Sequence, residues 1–83
     1  MIVPTIHLNG TAKEDLIEGL CKASQSLNDS YEALKQTVPN GRDYYPQGPI
    51  AFEQATVAHM ERLRRLDEIK REIDELTVAI DEA

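Results

Sequence analysis

The sequence predicts an all-α fold: an antiparallel helical hairpin with a short extended N-terminal arm, assembling into a homo-oligomeric helix bundle. Three observations carry that expectation. Two stretches place apolar residues at alternating steps of three and four, the spacing of one helix face. A segment rich in Pro and Gly separates them. The 83 residues, one small domain, hold more apolar seam than two helices can hide from water. The expected division is an arm over 1–10, a helix over 11–38, a loop over 39–49 and a helix over 50–82.

The arm is β-branched at Ile2, Val3, Thr5 and Ile6, which suits extended chain. It has no second strand to pair with, so it must lie on the helices or meet the same arm of another subunit. Asn9-Gly10 then predicts a turn. Thr11 and Glu14 have the spacing of a capping box, in which each side chain satisfies an orphan amide of the first helical turn.

The first helix carries Ile17, Leu20, Ser24, Leu27, Tyr31, Leu34 and Val38 on one seam, widened by Leu16 and Cys21. Small Ala23 and Ser24 allow close approach of another helix, and Cys21 reads as a small buried hydrophobe. Pro39 stops the helix by disfavouring helical geometry at the residue before it.

Pro49 suits the first turn of the second helix. Its seam runs through Phe52, Ala55, His59, Leu63, Leu66, Ile69, Ile73, Leu76 and Ile80. Ion pairs one turn apart are expected for Glu61–Arg65, Arg64–Glu68, Asp67–Arg71 and Arg71–Glu75, marking a solvated face. Asp81 and Glu82 oppose the helix dipole, so this end frays unless a basic partner covers it. At 1.5 Å per residue the two helices reach about 40 and about 50 Å. The longer one is therefore expected to leave Ile73, Leu76, Val78 and Ile80 uncovered at its C-terminal end.

Fifteen acidic against nine basic residues give a net charge of −6, which argues against a general nucleic-acid or membrane-surface partner. The one cysteine excludes an internal disulfide framework and a cysteine-rich zinc site. Two distant histidines give no metal-ligand spacing, and no cofactor is expected. No stretch approaches the roughly 20 apolar residues of a membrane span, and the first residues lack the basic region of a signal peptide. A cytoplasmic location is the expectation, in the host if the chain is phage-encoded.

The segment Pro39-Asn40-Gly41-Arg42-Asp43-Tyr44-Tyr45-Pro46-Gln47-Gly48-Pro49 is long for a helix connector and rich in chemistry. Tyr44 and Tyr45 can stack on a planar base, and Arg42 can fork onto a phosphate or carboxylate. Asn40, Asp43 and Gln47 can read polar edges. His59 on the second seam and Arg62 after it are candidates to complete the site from a neighbouring subunit, against the plainer reading of His59 as a satisfied core or interface residue. Against this stands a plainer arrangement, in which the tyrosines pack over the hairpin end and Arg42 pairs with a carboxylate. Likewise Arg62, Arg64, Arg65, Lys70 and Arg71 interleave with acids as a salt-bridged surface would. No Gly-rich phosphate loop, nucleophile elbow or HExxH motif occurs, and a two-helix chain excludes water poorly, so no enzymatic activity is expected.

The opening PTIHLNGT and the later PNGRDYYPQGP resemble small phage- and prophage-encoded helical proteins. One class of these comprises oligomeric sponges that sequester nucleotide immune signals at subunit junctions through aromatic and Arg side chains. Others cap or inhibit host proteins, or serve in assembly. The resemblance implies a non-catalytic homo-oligomer that sequesters a small anionic ligand, cyclic nucleotide or ADP-ribose-like. The alternative is a protein–protein interaction module for a host or virion protein.

Overall fold

Amphipathic stretches separated by a Pro/Gly punctuated connector form three helices in the computed structural model, which describes Met1–Ala83. They are α1 (Lys13–Lys35), a one-turn α2 (Gly41–Tyr44) and α3 (Pro49–Glu82), with a 3-10 turn at Tyr45–Gln47 between the last two. No strand forms. The molecule is a rod of 62 × 20 × 17 Å with a radius of gyration of 18.6 Å. A compact chain of this length would have about 12 Å.

Lys13 begins α1 with Ala12 as its cap residue, and no side chain caps the turn. The expected Thr11–Glu14 box is therefore not made. Glu14 and Asp15 still place negative charge at the positive end of the helix dipole. The helix ends at Lys35, three residues before the expected Val38. There the Thr37 hydroxyl donates to the Leu34 carbonyl at 2.7 Å and takes over one C-terminal acceptor. Val38 consequently leaves the seam and stands 57% exposed.

α3 packs along α1. The row facing α1 contains His59, Leu63, Leu66, Lys70, Ile73, Thr77 and Ile80, all buried or half-buried. Ile69, expected on this seam, lies outside it at 46% exposure, and Phe52 stands at 36%. Lys70 takes the inward position in place of Ile69. Its alkyl stem covers apolar surface while its ammonium donates to Asp74 Oδ2 at 2.8 Å. The Ser24 hydroxyl of α1 donates to the other oxygen, Asp74 Oδ1, which makes a polar layer across the helix pair. Both hydrogen bonds hold the Asp74 carboxyl below its usual range, Lys70 contributing more than Ser24. Cys21, expected to be buried, is exposed beside this layer.

The solvated face of α3 carries ion pairs at Arg64–Glu68 and Asp67–Arg71 as expected. Glu61 pairs with Arg64 at 2.8 Å rather than with Arg65, and this hydrogen bond lowers the Glu61 carboxyl's affinity for a proton. Arg71 pairs through Nε with Asp67 at 3.0 Å and makes no pair with Glu75.

The uncovered part of α3 is the opposite end from the one the helix lengths led us to expect. Lys13 Nζ donates to the carbonyls of Asp81 at 2.7 Å and Ala83 at 3.0 Å, so the start of α1 is level with the end of α3. Ile80 is 1% exposed, the most deeply buried residue of the chain. Ile73 and Leu76 are half-buried and share a cavity with Met1 of the arm, whereas Val78 is 54% exposed, as expected. The whole length difference falls at the other end, where α3 from Pro49 to Ala58 runs beyond α1. There Ile50 and Val57 are 69% and 65% exposed, and Met60, just past it, is 56% exposed.

The arm forms no regular structure and is exposed throughout, Ile2 and Leu8 at 95% and 98%. Its turn is made where expected, with the Gly10 N–H donating to the His7 carbonyl at 3.1 Å. The His7 imidazole lies over Gly10 so closely that a Cβ there would come within 2.9 Å of Nε2. A side chain at this position would have to push the exposed imidazole aside.

Candidate functional site

The connector folds back over the projecting end of α3. Asn40 starts α2: its side-chain oxygen accepts the Arg42 N–H at 2.9 Å, a cap of the kind short polar side chains make. The 3-10 turn then ends on Gly48, whose φ of 94° and ψ of 169° reverse the chain into α3. The Gly48 N–H donates to the Tyr44 carbonyl at 3.1 Å, which closes the reversal. That backbone places the half-buried Tyr44 ring 6.3 Å from Phe52, centroid to centroid, tilted by 42°. The pair is within the range of favourable edge-biased ring contacts.

Two adjoining depressions result, with Tyr44 as the wall between them. The more polar one, of about 300 Å³, is lined by Asp43, Tyr44, His59 and Arg62, with Leu34 and Pro39 as its apolar wall. The other, of about 240 Å³, holds Tyr45 and Phe52 on either side of Gly48 and Pro49. Thus Asp43, Tyr44, His59 and Arg62 come together within one chain, with no neighbouring subunit needed to supply His59 or Arg62. Tyr45 points into the second depression and is 85% exposed. Asn40, Arg42 and Gln47 line neither; Asn40 is occupied as a cap, and Arg42 and Gln47 face solvent.

His59 is the unusual member. It is 4% exposed, and its Nε2 is fully buried without a hydrogen-bond partner. Native proteins satisfy the large majority of such atoms, which sets His59 apart from the other residues of the cleft. Arg62 follows one turn later and makes no ion pair, unlike Arg64 and Arg71. The cleft thus offers a free guanidinium, a buried ring nitrogen, a carboxylate at Asp43 and an aromatic face at Tyr44. That set can take an anionic group at Arg62, a hydrogen-bonding edge at His59, an N–H donor at Asp43 and a flat ring against Tyr44.

The sequence left Leu34 and Pro39 as a seam residue and a helix stop, yet both wall the cleft. Their signal was the early end of α1, hidden in the Thr37 hydroxyl bond. A separate groove of about 370 Å³ borders the Ser24–Asp74–Lys70 layer. No group of three His, Cys, Asp or Glu side chains is arranged to hold a metal ion. No helix is long and apolar enough to cross a membrane. No protein-family model matches the chain, and neither a curated protein nor a solved structure matches it.

Proposed function

We propose that the chain is a non-catalytic, homo-oligomeric binding protein that sequesters a small anionic, nucleotide-derived ligand. In this reading α1 and α3 are an antiparallel hairpin whose copies associate through helix faces and arms. The phage counter-defence setting follows from the resemblance of its two short segments. The observation that carries the ligand reading is the buried, unpartnered His59 Nε2 beside the unpaired Arg62. A nucleotide supplies every complementary group: phosphate for Arg62, a ring for Tyr44, and N–H donors and acceptors for Asp43 and His59. Tyr45, in the adjoining depression, and the solvent-facing Arg42 are assigned to outer parts of the ligand.

Association is supported by surface area. The chain exposes 6374 Å², whereas a folded monomer of its mass exposes about 5,000 Å². The surplus per chain exceeds the roughly 800 Å² that each partner contributes to a standard interface.

The second reading, a protein-interaction module, draws on the exposed Ile50, Val57 and Met60. The stripe through Ile73, Leu76 and Ile80 serves it less, because Ile80 is buried and Ile73 and Leu76 are half-buried. Titration calorimetry near 100 μM protein against cyclic di- and trinucleotides and ADP-ribose separates the two. Heat with at least one of them, lost in Arg62→Ala and His59→Leu, is the expected result. Absence of heat for all of them removes the ligand reading.

A further inference from the structure

We propose that the arm of a second copy, residues Met1–Leu8, docks on the outer face of α3 around Ile50 and Val57, in a dimer whose two rods run antiparallel. This inference rests on the homo-oligomeric reading above and names the surfaces that would make it.

Ile50 and Val57 are seven residues apart and share one face of α3, turned away from the α1-facing row. Together with Glu53, Gln54, Ala58 and Glu61 they line an open groove of about 500 Å³. Nothing in the same chain covers it. The arm is its counterpart: Ile2 and Leu8 are almost wholly in water on a segment that forms no regular structure. Exposed apolar residues that adjoin one another along a groove mark a surface for contact.

The two sets sit at opposite ends of the 62 Å rod. The arm leads into Lys13 beside Asp81, and the groove begins at Pro49. Within one chain they do not meet: Met1 lies beside Ile73 and Leu76, short of the groove. A two-fold axis across the middle of the rods brings the arm of each copy to the groove of the other, so the contact forms twice and closes. Lengths agree as well: from Ile50 to Glu61 the helix rises about 16 Å, the span of about five extended residues.

Charge agrees too. From Met1 to Ala12 the sequence has no acidic residue, and it carries His7 before Lys13. From Pro49 to Glu61 it has no Lys or Arg, and Glu53 and Glu61 rim the groove. An arm without acids on a groove with only acids is attractive, whereas groove on groove would set like charges together.

The test is sedimentation of three proteins: wild type, Ile2→Asp/Leu8→Asp, and Ile50→Asp/Val57→Asp. All four side chains replaced in the two variants are exposed in the free chain, so helical circular dichroism should be unchanged. Wild type is expected at twice the 9.3 kDa chain mass or an even multiple, with either pair halving it. A chain with Ile2→Cys mixed with one carrying Val57→Cys, both in a Cys21→Ser background, should give a disulfide-linked pair on oxidation. A wild type that sediments as single chains overturns both this contact and the homo-oligomeric reading. A wild-type oligomer unaffected by both pairs, with no cross-link, overturns this contact and leaves that reading standing.

Discussion

Lys13 and Asp81 are 68 residues apart in sequence, and the Lys13 ammonium donates to the Asp81 carbonyl at 2.7 Å. The first residue of α1 thus caps the last turn of α3. It supplies the positive charge that the helix dipole favours there and that Asp81 and Glu82 do not. This contact also fixes the alignment of the two helices, and so decides which end of α3 projects.

Replacing Lys13 with Met keeps the stem and removes the charge. The expected cost is about 1 kcal/mol, in the range measured for charges at helix ends. Amide exchange of Ile80 to Ala83 should accelerate more than that of Leu63 to Leu66, because the loss is local. Uniform acceleration along α3 would contradict the capping role.

Gly48 adopts φ 94°, a conformation that L side chains rarely take. Gly48→Ala should destabilise the fold by about 1–3 kcal/mol, read as a lowered midpoint in urea. Gly41→Ala is its control. A Cβ there meets nothing within 4 Å, and the residue opens a helix, so stability should hold or rise slightly.

Much of this architecture is legible in the residues themselves. The alternating threes and fours of Ile17 to Leu34, and of His59 to Leu66, mark the packed faces because apolar spacing reports burial directly. Ile69 against Lys70 is different. The apolar residue fits the pattern, but Asp74 and Ser24 stabilise Lys70 inward through contacts that no local spacing reveals. Likewise, helix lengths foretell an overhang, yet only the long-range Lys13–Asp81 contact says which end overhangs. In the site, the tyrosine–arginine segment stands out by composition. That Asp43 and Tyr44 join His59 in a cleft while Arg42 stays in solvent depends on the Gly48 reversal, which the sequence marks only as a glycine before a proline.

The Asp74 carboxyl is held below its usual range by Lys70 and Ser24. A depressed native pKa contributes stability that is present above the unfolded value of about 3.9 and is lost as pH falls through the native one. Wild type should therefore lose thermal stability on acidification below about pH 4, and Asp74→Asn should lose less over the same interval. Parallel pH profiles for the two proteins would contradict the arrangement.

His59→Leu removes a buried nitrogen that has no partner in the free protein. An unsatisfied buried polar atom costs about 1–3 kcal/mol, so the variant should be at least as stable as wild type. Calorimetric binding of the nucleotide probes should vanish in the same protein. A large loss of stability would show instead that His59 serves only the packing of α3.

The most direct test of the account is native mass spectrometry of the freshly purified protein at micromolar concentration. A chain that exposes 6374 Å² with three buried residues should appear as an even multiple of 9.3 kDa, with few lone chains. A spectrum of lone 9.3 kDa chains would contradict it.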